Sequence, residues 1–164
     1  MEIKRYTDEA VELLARLIST PSVSRDEGAA ADIFADFIGK CELPCQRIGN
    51  NILIQEELDP AKPTLLLNAH IDTVKPAGGY TRDPFTPSVE DGKLYGLGSN
   101  DDGGSLVALL ETYSLLSAAP QPYRLVFSPF FFMMIEIIVR SVMNVVRWIK
   151  TDTSELETKE GEAV

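Results

Sequence analysis

One histidine and several acidic residues stand in an arrangement that suits hydrolytic chemistry. His70, the only histidine among the 164 residues, ends a short apolar run and is followed by Asp72. About thirty residues later, the glycine-rich stretch 96–104 contains two adjacent carboxylates, Asp101 and Asp102. Imidazole and carboxylate groups on separate loops are typical of hydrolytic metal sites. The pattern therefore predicts a metal-dependent hydrolase.

These residue types fit particular roles in a two-metal site. His70 suits a terminal ligand, and Asp101, at the exit of a glycine-rich turn, suits a carboxylate that bridges two ions. Asp72 lies on the same extended segment as His70, so its side chain is placed to hold the ring nitrogen opposite the metal. Such a site also needs a glutamate that is not a ligand, to carry protons between the water and the leaving nitrogen.

Each of these residues also has an ordinary structural explanation. For His70 it is a core histidine bonded to backbone, and for Asp72 it is a hydrogen-bond acceptor within a loop. For Asp101 and Asp102 it is a solvated turn that caps the next helix. Because of the surrounding motifs, we interpret His70 and Asp101 as ligand positions and Asp102 as a cap or surface group.

Three segments carry a resemblance to a known family. They are Thr20–Ser24, His70–Val74, and a stretch that leads from Asp83-Pro84-Phe85 through Gly92–Gly98 to Asp101. In order and spacing they resemble the zinc-dependent family of acetylornithine deacetylases, succinyl-diaminopimelate desuccinylases, aminoacylases and carboxypeptidases. The resemblance covers about residues 6–128, the N-terminal part of the catalytic domain in that family.

The resemblance implies both a mechanism and a substrate class. His70 would bind one of two zinc ions, Asp101 would bridge both, and Asp72 would be the catalytic carboxylate behind His70. The substrate would be a small N-acyl amino acid or peptide. Among the branches, the motifs look most like acetylornithine deacetylases, which implies a role in amino-acid biosynthesis.

The family pattern is lost after Ser128. In the family, the strand at this position runs into two adjacent glutamates, a general base and a zinc ligand, whereas residues 129–135 contain no carboxylate here. Glu136 is the first, and we interpret it as part of the polar stripe of a helix, paired with Arg140. Further family ligands include a second histidine, which this sequence lacks. We therefore expect weak or partial zinc binding and no turnover.

Two functional hypotheses follow from this departure. One is a zinc-dependent amide hydrolase of N-acyl amino acids whose activity is impaired in this chain. The other is a non-catalytic product, either truncated or altered in reading frame after Ser128, or an interaction module that uses an exposed apolar helix. Whether a partner chain supplies the missing ligands stays open.

The elements that must position these residues alternate between helix and strand. Apolar spacing and capping residues predict helices from Thr7 to the residue before Pro21, over 26–39 and over 103–117. Apolar runs and turn residues predict strands over 45–48, 52–55, 64–69 and 123–128, the third of them buried on both faces, and a further turn at 90–93. The fold class is thus α/β, with a mixed sheet and helices on both faces.

The C-terminal region has a different character. We divide the chain into residues 1–128, a truncated metallopeptidase- or amidohydrolase-like catalytic domain, an appended apolar helix at 129–150, and a disordered acidic tail at 151–164. The apolar helix is long enough to span a bilayer, but a central arginine would cost about 2.5–3.5 kcal/mol. We therefore favour packing of this helix against the sheet or a partner.

The composition of the chain limits the kinds of partner that it can bind. The net charge of −10 argues against nucleic acid and against an anionic membrane surface. The first residues lack an apolar signal core, which predicts a cytoplasmic protein. Cys41 and Cys45 lack the further Cys or His partners of a structural zinc site and are predicted to be free thiols. An open sheet edge and an uncovered apolar helix predict self-association.

Overall fold

The computed structural model describes residues 2–57 and 59–129. The predicted apolar helix and acidic tail, at residues 130–164, lie outside the described residues. In chain order the elements are α1 (Glu2–Ile18), α2 (Gly28–Lys40), β1 (Cys45–Ile48), β2 (Asn51–Gln55), β3 (Thr64–Ala69), β4 (Ser88–Glu90), β5 (Lys93–Tyr95), a single π-type turn (Ser99–Gly103), α3 (Gly104–Ser117) and β6 (Arg124–Pro129).

Four of the strands form a mixed sheet in the order β1-β2-β6-β3. β1 and β2 are an antiparallel hairpin, as the Gly49-Asn50-Asn51 turn predicts. β2 also pairs antiparallel with β6, whereas β3 and β6 are parallel over their whole length, up to Ala69 opposite Pro129. The prediction of an α/β fold with a mixed sheet is confirmed.

Phe127 on β6 joins the helices to the sheet. Its ring centroid lies 6.0 Å from that of Phe34 on α2 and 6.4 Å from that of Tyr113 on α3. All three side chains are buried, and the rest of this core is mainly leucine and isoleucine, with smaller apolar residues, from the three helices and from β2, β3 and β6. Because Phe127 points to one side, α2 and α3 meet the sheet on the same face. Helices on the second face stay a prediction.

The prediction that α1 begins at Thr7 is wrong, since the helix begins at Glu2. The hydroxyl of Thr7 donates to the carbonyl of Ile3 one turn earlier and does not cap the helix. Ion pairs at i,i+4 spacing, one of them between Lys4 and Asp8, support the added turn. No helix within residues 2–57 and 59–129 combines the length and the apolarity needed to cross a membrane.

The burial of β3 is lower than predicted. The strand has the predicted bounds, but its first three residues are exposed, with Leu65 and Leu66 at 38% and 40% of their full surface. In the described part of the chain β3 is the end strand of the sheet, paired only with β6. A continuous apolar run does not by itself distinguish a central strand from an end strand.

Candidate metal centre

The predicted site residues meet beyond the carboxyl end of β3. His70 follows Ala69, the last residue of that strand, and β6 ends alongside it at Pro129. Asp101 comes from the π-type turn that leads into α3. In α/β folds, ligands usually bind at the carboxyl ends of the strands, where the loops can converge. The sheet and α3 therefore deliver imidazole and carboxylate to one place.

The two nitrogens of His70 have different partners. Nδ1 lies 2.9 Å from the backbone oxygen of Asp72, and Nε2 lies 3.2 Å from Oδ1 of Asp101. A carbonyl oxygen only accepts hydrogen bonds, so the Nδ1 contact requires a proton on Nδ1. In the neutral ring, Nε2 then directs its lone pair towards Asp101.

This arrangement fits a zinc ligand pair. In this tautomer Nε2 and the Asp101 carboxylate both offer electron pairs, and two such groups facing one another are what a metal ion binds. Two ligands of one tetrahedral zinc, each at about 2.1 Å, lie roughly 3.4 Å apart, close to the spacing seen here. The Asp101 side chain is 87% exposed and therefore open to an ion from solvent.

Asp72 contacts the same ring through two of its oxygens. Its carboxylate is buried, and Oδ1 lies 3.4 Å from Nδ1 of His70, farther than the backbone oxygen of the same residue. The other carboxylate oxygen, Oδ2, accepts a hydrogen bond from the hydroxyl of Ser24. Both the backbone and the side chain of Asp72 therefore favour a proton on Nδ1 and leave Nε2 for a ligand role.

The carboxylate of Asp102 contacts the backbone of His70, which the sequence did not suggest. Its Oδ2 accepts a hydrogen bond of 3.3 Å from the backbone N–H of His70. It does not cap α3, since the structure has no side-chain hydrogen bond at the start of that helix. The interpretation of Asp102 as a cap or surface group is thus wrong, because this carboxylate links the π-type turn to the end of β3.

Glycine is needed where the π-type turn packs against its neighbours. The turn closes with a 2.9 Å hydrogen bond from the N–H of Gly103 to the oxygen of Gly98. Gly98 has φ of +78°, and a Cβ there would lie 2.7 Å from the Cγ2 of Thr73. Between these glycines, Asp101 has extended dihedral angles, and its peptide bond to Asp102 is cis. The glycine-rich sequence thus lets the turn approach the loop that follows β3.

The described residues do not by themselves form a complete metal site. Catalytic zinc usually has three protein ligands. Within residues 2–57 and 59–129 no group of three or more His, Cys, Asp or Glu side chains is arranged to hold a metal ion. Cys41 and Cys45 are free thiols in the structure, and burial raises the pKa of Cys41. Among these side chains, His70 and Asp101 are the two candidate ligands that the structure brings face to face.

Comparison with known proteins identifies the family. The sequence model of peptidase family M20/M25/M40 matches residues 66–129, a range that contains His70, Asp72 and Asp101. Over this segment, the chain belongs to peptidase family M20/M25/M40. The resemblance noted from the motifs of the sequence is thereby confirmed for the M20 segment.

Relatives of the chain include a desuccinylase and a deacetylase. The chain is 31% identical over 119 residues to a succinyl-diaminopimelate desuccinylase of Anaplasma marginale (strain Florida). The aligned region covers 69% of the chain and 31% of the relative. The chain is also 36% identical over 115 residues to an acetylornithine deacetylase of Shigella sonnei (strain Ss046), covering 62% and 30% respectively. The chain thus spans just under a third of the length of these relatives.

A solved structure shares the fold. The M20 family metallo-carboxypeptidase Sso-CP2 from Sulfolobus solfataricus matches with a TM-score of 0.59 and 19% sequence identity. The match covers 73% of this chain and 30% of that one. This likeness supports the α/β architecture and the order of its elements.

Proposed function

We propose that this chain carries the first part of a zinc-dependent site that hydrolyses the amide bond of N-acyl amino acids. His70 and Asp101 are the metal ligands, with Asp101 as the bridging carboxylate of a two-ion centre. Asp72 orients His70. The match to peptidase family M20/M25/M40 and the activities of the two relatives, a desuccinylase and a deacetylase, support this substrate class.

One observation carries the proposal. Nδ1 of His70 is committed to the backbone oxygen of Asp72, and Nε2 faces the exposed carboxylate of Asp101 at 3.2 Å. A core histidine satisfied by backbone alone would not present its second nitrogen to a carboxylate that is open to solvent. The pairing therefore favours a ligand role over a purely structural one.

The surrounding residues have distinct tasks in this proposal. Asp72 keeps the proton on Nδ1, and Asp102 fixes the position of His70 through its backbone N–H. Asp101 places a negative charge at the open side of the site. A zinc ion held there supplies Lewis-acid activation of water and of the amide carbonyl.

The same proposal includes impaired hydrolysis. A general base must take the proton from water and return it to the leaving nitrogen. β6 ends beside the strand that leads to His70, where the family's two glutamates are expected, but the residues after Pro129 are Phe130-Phe131-Phe132-Met133-Met134. Without a carboxylate at that point, the chain binds zinc weakly and does not turn over substrate by itself.

A second candidate function is a non-catalytic interaction module. The exposure of Leu65 and Leu66 on the end strand of the described sheet favours it, because such an edge can pair with another chain. This reading does not require His70 or Asp101 to bind metal. Metal affinity therefore separates the two functions.

The test is zinc binding by the full chain, with two matched variants. Asp101→Asn removes the proposed ligand, whereas Asp91→Asn removes the same charge from the exposed turn between β4 and β5. Asn tolerates the positive φ of position 91. We expect Asp101→Asn to weaken zinc binding about a hundredfold or more and Asp91→Asn to leave it unchanged. Competition with a chromogenic chelator measures both affinities.

Hydrolysis of N-acetylornithine and of N-succinyl-diaminopimelate is measured on the same samples. The proposal predicts no turnover above the Asp101→Asn background. Zinc-dependent turnover that Asp101→Asn abolishes would show that the general base is present, contrary to the impaired part of the proposal. Equal zinc affinity in the wild type and Asp101→Asn would reject the metal site and leave the interaction module.

A further inference from the structure

The loop between α1 and α2 runs along the segment that carries His70. Val23 forms a parallel bridge with Thr73, and the N–H of Thr73 donates to the oxygen of Ser22 at 2.7 Å. The hydroxyls of Ser22 and Thr73 also lie 3.5 Å apart. These contacts with Thr73 thus fix residues 22–24 beside the segment 70–73.

Ser24 uses this placement to reach the carboxylate of Asp72. Its hydroxyl donates to Oδ2, from a position 48 residues earlier in the sequence. The other oxygen of the same carboxylate faces Nδ1 of His70. Rotation of the carboxylate about its last bond would move both oxygens, so a donor that holds Oδ2 also sets the place of Oδ1.

We infer that Ser24 is a positioning residue for the metal centre, acting through the Asp72 carboxylate to hold the His70 ring with Nε2 directed at Asp101. The inference rests on the proposed function and adds one residue, Ser24, to the proposed site. Ser24 is exposed whereas Asp72 is buried, so the hydroxyl contributes this hydrogen bond without being part of the core. Groups that hold a ligand from behind typically change metal affinity by about 10–100-fold when removed.

The experiment compares three variants of the full chain. Ser24→Ala removes the hydroxyl, and Ser24→Thr retains it. Ser19→Ala is the control, because that exposed hydroxyl, one residue after α1, donates to the oxygen of Ala15 in the last turn of the helix. We expect Ser24→Ala to weaken zinc binding about tenfold, with Ser24→Thr and Ser19→Ala within about twofold of the wild type.

The second readout is the imidazole of His70 in the metal-free protein. Because the chain has one histidine, its side-chain ¹⁵N resonances need no further assignment. We expect Ser24→Ala to raise the population of the ring form that has its proton on Nε2, and Ser24→Thr to restore the wild-type spectrum. A purely structural role for Ser24 would lower the melting temperature without changing this spectrum.

The outcomes separate the inference from the proposed function. Ser24→Ala with wild-type zinc affinity and an unchanged spectrum would overturn the positioning role, even if Asp101→Asn had confirmed the metal site. Absence of zinc binding by the wild type would reject the proposed function. The metal-free spectra then decide the role of Ser24, since a shift in Ser24→Ala that Ser24→Thr reverses supports it and identical spectra refute it.

Discussion

Two buried carboxyl groups in this chain are stabilised very differently. Asp72, beside the candidate metal centre, and Glu111, on α3 where that helix packs against α1, are exposed to only 6% and 7%. One oxygen of Asp72 accepts from Ser24, and the other faces His70. Oδ1 of Asp72 and Oε1 of Glu111 both lack a hydrogen bond within the described residues, but Oδ1 of Asp72 lies 3.4 Å from Nδ1 of His70. Burial, and to a lesser degree the neighbouring charge of Glu9, raise the pKa of Glu111 to about 7.

The difference follows from the elements that surround each group. Asp72 lies among loops, where hydroxyl and imidazole groups can turn towards a carboxylate. Glu111 lies between helices, whose backbone N–H groups are already used within the helix. A cavity of about 380 Å³ beside it is lined by α1 and α2, with Arg5 already paired to Glu9. Loops can thus bring partners to a buried carboxyl group, whereas burial at the helix junction favours the neutral acid of Glu111.

Gly103→Ala is expected to have the largest effect, because it disturbs both regions. An added Cβ would lie 2.5 Å from the oxygen of Gly98 and 2.6 Å from Leu14. Leu14 lines a small cavity beside His70 and a second cavity, of about 420 Å³, between α1 and α3 that also reaches Glu111. We expect a loss of about 3 kcal/mol in the free energy of unfolding, measured with urea. Gly39→Ala, where nothing lies within 4 Å, is the control and should be neutral or slightly stabilising. Equal stability of the two variants would contradict this account of the turn.

Asp72→Asn is expected to affect the metal centre and not the helix junction. The amide has the same shape but loses the charge that faces His70, so zinc affinity should fall about 10–100-fold. Glu111→Gln, the matching change at the other carboxyl, should stay within about twofold of the wild type. If both variants bound zinc equally well, the distinction between the two carboxyl groups would be lost.

Glu111→Gln is expected to change stability in a pH-dependent way. The folded pKa of Glu111, about 7, exceeds its ordinary value of 4.5, so the folded state binds more protons between these two values. Its contribution to stability is therefore full below pH 4.5, falls as the pH rises to 7, and is constant above. The variant removes this fall and should gain about 3 kcal/mol over the wild type at pH 8 relative to pH 4.5. Parallel unfolding curves for the two proteins across this range would contradict the shifted pKa.

The sequence predicted the parts of the fold that depend on local signals. The Gly49-Asn50 turn gave the β1–β2 hairpin, and the apolar run before His70 gave β3 with its exact bounds. The beginning of α1 was missed because Thr7 followed by acids looks like a cap, while the i,i+4 ion pairs that extend the helix are weaker signals. Exposure of β3 depends on its place in the sheet, which its own residues do not encode.

The sequence predicted the residues of the candidate site whose side chains could bind metal, but not the residues that hold them in place. His70, Asp72 and Asp101 have residue types and spacing that suggest metal chemistry, and the structure brings them together. Asp102 and Ser24 were missed, since a carboxylate that binds a backbone N–H or a serine that binds an aspartate has no spacing rule. For Ser24, its place in the Thr20–Ser24 motif was the only available signal.

The central claim is that Nε2 of His70 is a zinc ligand while Nδ1 stays bound to Asp72. The most direct measurement is the ¹⁵N spectrum of the single histidine during a zinc titration of the full chain. The account predicts that zinc shifts the Nε2 resonance and leaves Nδ1 protonated. Zinc binding through Nδ1, or zinc binding that leaves both nitrogens unchanged, would contradict it.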